Sequence, residues 1–136
     1  MASTVSNNFK YQLLNLLVAK TFKFYLMMPG FTFDQDAQKV YADIATNEIA
    51  TAGGYTHGTG ITLSGIAVAE DDANNQGIIT WGNVSFTPTG ASLSICGAVL
   101  VNTTDDIIVG FEDAGGTVVI ADGQPCVIAQ PFVAIT

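Results

Sequence analysis

The chain contains no arginine, and its four lysines, Lys10, Lys20, Lys23 and Lys39, all lie within the first 39 of 136 residues. Neutralising phosphates takes clustered Lys or Arg. A net charge of −8 therefore argues against nucleic acid as a partner. Twelve carboxylates oppose the lysines, and only Asp34 and Asp36 precede residue 40, so a mildly cationic N-terminal segment is joined to an anionic remainder. Such asymmetry would suit head-to-tail docking of copies, although an ordinary acidic, solvated surface has the same composition. Charged residues make up 12% of the chain and hydrophobic ones 49%, which is too apolar for disorder and sparse in charge for a surface wholly in water. Much of the surface is expected to touch other protein.

Residues that usually carry chemistry are also scarce. His57 is the single histidine, so a Ser-His-Asp arrangement would have to use it with Ser64 or Ser6, and no GxSxG elbow accompanies either serine. Cys96 and Cys126 sit in the apolar contexts SICGAV and PCVIAQ and read as buried free thiols, with no CxxC metal spacing. The start MASTVSNNFK lacks the charged, apolar and small-residue succession of a signal peptide. The apolar stretch LLNLLVAKTFKFYLMM is broken by Asn15, Lys20 and Lys23, short of the roughly 18 clean residues a membrane span needs. A soluble protein made in a cytoplasm, with no membrane partner, is the expectation.

What is present reads as one domain over 1–136, mainly β: an antiparallel sandwich of jelly-roll or Ig-like type, with an N-terminal helix and a long irregular connection. Ser6 is placed to cap a helix over 7–19, in which Phe9, Leu13, Leu16 and Leu17 form a stripe at helical spacing. Leu14, Val18 and Tyr11 add apolar groups on the other side, so a partner subunit is expected to cover part of this 1–20 arm. The segment 22–28, FKFYLMM, is strand-like and stops at Pro29-Gly30. Residues 29–60 form the extended connection, with one helical turn near KVYADI, and connections of that length are usually functional or interface-forming. Strands are expected at 61–68, 77–87 (bent at Gly82), 91–101, 106–112, 116–121 and 126–135. They are separated by the turn signals EDDANNQG, TPTG, NTTD, DAGG and DGQP. In ASLSICGAVLV, Ala91, Leu93, Ile95, Val99 and Val101 alternate with Ser92 and Ser94, and Leu100 suggests that the far end is covered on both faces.

The glycine-rich run GGYTHGTG matches neither a P-loop nor a dinucleotide fingerprint, and a strand rather than a helix follows it. Its glycines read as tight-turn residues, and His57 as a loop histidine with an ordinary hydrogen bond or a pH-sensitive interface contact. In EDDANNQG, the residues Asp72, Asn74, Gln76 and Gly77 fall at the first, third, fifth and sixth places of an EF-hand-like loop. The twelfth place is Asn83, so Ca²⁺ binding by Glu70, Asp71, Asp72 and Asn74 is a weak candidate beside a plain acidic turn.

Three segments together, TFKFYLMMPGF, YADIATNEIATAGGYTHGTGITLSG and TWGNVSFTPTGASLSICGAVLVNTTDDIIVGFEDAGG, resemble a group of small structural proteins of tailed bacteriophages. The matching positions are Phe22, Lys23, Tyr41, Glu48, Gly53, Gly54, Tyr55, Trp81 and Asn102, over about residues 21–120. The longer N-terminal helix and the apolar end CVIAQPFVAIT depart from the pattern. The resemblance implies a virion component without a catalytic site or cofactor. Its foremost form is a capsid decoration or cement protein, trimeric, bound to the major capsid protein. Phe9, Leu13, Leu14, Leu17 and Val18 of the helix, with Tyr41, Tyr55 and His57 of the connection, are the expected interface. A head–tail connector, tail or fibre-adaptor subunit is the alternative. A host-attachment module binding carbohydrate through Trp81 or Tyr55 is a third.

Overall fold

The computed structural model describes residues 3–136. The chain is mainly β, with one α-helix at the N-terminal end, α1 (Asn7–Asn15). The strands are β1 (Phe22–Met27), β2 (Ile61–Thr62), β3 (Ala67–Asp71), β4 (Gln76–Thr80), β5 (Val84–Phe86), β6 (Leu93–Asn102), β7 (Ile107–Ile120), β8 (Cys126–Ile128) and β9 (Phe132–Ile135). They form sheets of order β2-β1-β6-β7, β3-β4-β9 and β5-β8, and every pairing described in the first two is antiparallel. Among the described residues no helix is long and apolar enough to cross a membrane.

Contacts group the chain into two compact units. One comprises the N-terminal segment to Lys20, Leu63–Val84 and Ile128–Thr136; the other comprises Thr21–Thr62 and Ser85–Val127.

In the first unit, Ser6 caps α1 as its position predicts, its Oγ accepting from the Phe9 N–H at 3.2 Å. The helix is shorter than the expected 7–19. From Leu16 onward the N–H groups of Leu16, Leu17, Val18 and Lys20 bond three residues back, the tight turns in which helices end. The helix lies on β3 and β4, with Lys10 and Leu14 close against Gly77. Amide and carboxylate groups complete the seat. The Asn7 Nδ2 donates to Asp72 Oδ1 at 2.8 Å, the Asn8 Nδ2 to Glu70 Oε1 at 3.0 Å, and the Lys10 ammonium to the Asn75 carbonyl.

The second unit is built on β1 and β6, each buried along nearly its whole length. A buried cluster of Tyr25, Met27, Ile44, Cys96, Val99 and Val101 forms its core, with Phe31, Tyr41, Ile108 and Phe111 packed around it. The 29–60 connection supplies Phe31, Tyr41 and Ile44. It therefore covers the sheet of its own chain, and its two single turns of 3₁₀ helix, Tyr41–Asp43 and Ala45–Asn47, hold it there. The backbone N–H groups of Lys39 and then Val40 donate to Asp43 and hold its carboxyl below the usual range.

The alternation read in β6 changes phase. A register shift between Ile95 and Gly97 brings Cys96, and not Ile95, into the cluster with Val99 and Val101. The turn expected at DAGG does not reverse the chain. Residues 107–113 and 118–120 both pair with β6, and the four residues between them swell out of one continuous β7. The expected strand at 126–135 is divided into β8 and β9 at Pro131, and the one at 61–68 into β2 and β3. Both cysteines are free, Cys96 buried and Cys126 half-buried.

Candidate functional site

The seven-residue spacing of Tyr41, Glu48 and Tyr55 places three polar side chains of one connection around a single point. Glu48 follows the second 3₁₀ turn and bridges to Met27 at the end of β1, fixed by Met28 N–H to Asn47 O at 2.8 Å and Ile49 N–H to Leu26 O at 3.0 Å. Its side chain is turned inward and the residue is only 3% exposed. The Tyr41 hydroxyl donates to Oε2 at 2.5 Å and the Tyr55 hydroxyl to Oε1 at 2.6 Å. The Gly58 N–H donates to both oxygens at 3.1 Å. A buried carboxylate is tolerable only when its acceptor sites are occupied in this way.

Gly53 and Gly54 make the turn that delivers Tyr55. Ala52 and Tyr55 exchange backbone hydrogen bonds of 2.9 and 3.1 Å around them. Both glycines have positive φ, 56° and 82°, as a type I′ two-residue turn requires. Tyr55 then also accepts the Leu26 N–H at 3.1 Å, linking the carboxylate to β1. His57 Nδ1 lies 3.0 Å from the Ile49 carbonyl, which only accepts, so this nitrogen carries the hydrogen. The same atom stands 3.5 Å from Glu48 Oε2.

Burial, and next the hydrogen bond to Glu48, push the Tyr41 and Tyr55 hydroxyls well above the ordinary tyrosine value of 10.0. Burial also raises Tyr25. The folded chain thus keeps protons that the unfolded chain releases from pH 10 upward, and the associated stability is complete below pH 10 and lost as pH rises above it. In an alkaline titration, tyrosinate absorbance from these residues is expected to develop together with loss of the β circular dichroism signal. Full tyrosine ionisation with the fold intact would contradict this account of the site.

Chemically the arrangement is a clamp. Both carboxylate oxygens are directed to the chain's own loop, and Tyr55, at 1% exposure, has no face open to a sugar or a partner. Tyr41 is half-buried, whereas the imidazole of His57 reaches solvent. Of the helical residues expected at an interface, Leu14 is packed inside at 2% exposure and Leu17 is half-buried. Phe9, Leu13 and Val18 are exposed.

The Ca²⁺ candidates lie at the β3–β4 hairpin and serve the turn. Asp71 accepts from the Asn74 side chain at 2.7 Å and the Gln76 side chain at 2.9 Å, which together hold its carboxyl below the usual range. Asp72 accepts from Asn7. Among the described residues no group of three or more His, Cys, Asp or Glu could hold a metal ion.

Sequence reasoning placed Glu48 in a pattern without giving it a role. The Tyr-x₆-Glu-x₆-Tyr spacing was the available signal. These features define a mainly β protein whose glycine-rich loop is organised by an internal carboxylate. No protein-family model, curated protein or solved structure matches the chain.

Proposed function

We propose that this chain is a non-enzymatic structural subunit of a bacteriophage particle, a decoration protein that binds the assembled head and stabilises it. The observation that carries the reading is the outward face of α1. Phe9, Leu13 and Leu16, at 55%, 42% and 71% exposure, form a helix-spaced apolar stripe, extended by Val5 before the helix and Val18 after it. A helix already seated on its own hairpin gains nothing from that stripe in isolation, whereas burying it against a shell protein or another copy of this chain is favourable. The sparse charge and the resemblance over about residues 21–120 support the same reading. Binding only the assembled lattice raises its stability by mass action, and no chemistry is needed.

Quantitative mass spectrometry of purified particles tests it. Copies near parity with the shell protein, or near one per local three-fold, are expected, and the double variant Phe9→Asp/Leu13→Asp should reduce them about tenfold, the loss that about 1.4 kcal/mol of binding produces. A handful of copies per particle would assign the chain to a neck or tail ring. Absence from particles would overturn the virion reading.

A further inference from the structure

The face of the β3-β4-β9 sheet opposite α1 carries a different kind of surface. In β4, Gly77 turns toward the helix, and because strand residues alternate, Ile78 and Thr80 both fall on the opposite face. Directly paired residues share a face, which adds Ala67 and Ala69 of β3 together with Phe132 and Ala134 of β9. The three alanines are short, so this face is shallow beside Ile78 and Thr80 and rises at Phe132, whose side chain leaves the residue 58% exposed.

The result is an open hollow of about 300 Å³ lined by Ile78, Thr80, Trp81, Gln130 and Phe132, at the small end of the ~300–1,000 Å³ typical of ligand sites. Trp81 forms part of its lining, and its backbone N–H is fixed to the Pro131 carbonyl at 3.1 Å. Gln130 stands at the rim with φ of 40°, a left-handed conformation uncommon for a residue with a side chain. Its N–H is held by Asn83 Oδ1 at 2.9 Å. None of the five lining residues is charged. The carboxylate on this face of β3, Asp71, is engaged by Asn74 and Gln76.

We infer that this hollow is a binding site for a neutral saccharide. An exposed phenyl ring offers a flat apolar surface to the C–H face of a sugar, while the Gln130 amide and the Thr80 hydroxyl offer donors and acceptors to its hydroxyls. An uncharged lining provides nothing to hold a phosphate, a carboxylate or a metal ion. The site is separate from the outward stripe of α1, and it does not depend on the decoration reading.

The full chain, labelled for NMR, is to be titrated with maltose, cellobiose, lactose and chitobiose, with inorganic phosphate as the charged control. Saturable shifts at Trp81, Gln130 and Phe132 are expected with at least one disaccharide and none with phosphate. Phe132→Ala should weaken binding about tenfold and Gln130→Ala by several-fold; both side chains lie at the surface, so the fold should persist. Three results would overturn the inference: no disaccharide saturates the site, binding survives Phe132→Ala unchanged, or sedimentation shows that Phe132→Ala dissolves an oligomer of the wild-type chain. The last would give the face to a second copy. Particle copy number is decided separately, so the two readings fail independently.

Discussion

Glu48→Ala is expected to lower the stability of the chain by about 3–5 kcal/mol, because three donors lose their acceptor at once and each unsatisfied buried group costs about 1–3 kcal/mol. The orphaned groups are the hydroxyls of Tyr41 and Tyr55 and the N–H of Gly58. Tyr55 would also lose the restraint that lets its oxygen accept the Leu26 N–H, so the damage should extend to the end of β1. Chemical denaturation monitored by circular dichroism reads the loss. Glu48→Gln should cost less, about 1–3 kcal/mol, since the amide keeps an acceptor oxygen but turns an NH₂ toward one of the donors. If Glu48→Ala changes stability by less than about 1 kcal/mol, below the penalty for even one orphaned donor, the carboxylate does not organise the loop.

Gly97→Ala should be comparably severe, at about 3 kcal/mol or more, the upper end of the overpacking range. A Cβ there would stand 2.3 Å from the Glu112 carbonyl oxygen and 2.7 Å from two ring carbons of Phe111. The carbonyl belongs to the backbone of β7, paired with β6 on either side of this point, so it cannot rotate aside as a side chain would. Phe111 is itself in contact with Phe31, ring centroids 5.4 Å apart, and with Phe33 at 5.8 Å, which limits its retreat. Gly110→Ala, in the neighbouring strand β7, is the control, since nothing lies within 4 Å of a Cβ at that position. Equal stability of the two variants in urea would show that the close approach at Gly97 has no energetic consequence.

The elements with strong local signals were legible in advance. The serine cap, the start of α1, the strand at Phe22, the acidic hairpin between β3 and β4 and the NTTD turn all follow from side chains acting on their own backbone within a few residues. The failures share a cause. DAGG has the composition of a reversal, yet in β7 it only swells outward, because both flanking segments find partners on β6. On α1, Leu14 is expected at an interface with Phe9 and Leu13, but the helix turns Leu14 and Lys10 onto its own hairpin and leaves Phe9, Leu13 and Leu16 outside. The amide-to-carboxylate contacts of Asn7 and Asn8 with Asp72 and Glu70 help to set that rotation, across more than sixty residues of sequence. Tyr55 is expected at an interface or against a carbohydrate, yet the residue is only 1% exposed. Its hydroxyl is buried on a glutamate seven residues earlier.

By itself, then, the sequence determined the class of this protein: mainly β, with one helix at its N-terminal end, poor in charge and lacking arginine. Those properties depend on composition, period-two alternation and turn chemistry, which act locally. Only the tertiary structure decided that the 29–60 connection covers the core of its own chain, that Glu48 organises the glycine-rich loop, and that Phe132 and Gln130 flank an uncharged hollow. Each of these is a meeting of side chains from separate elements, set by strand register and by which face of an element is left for solvent, and neither is written in any short stretch of chain.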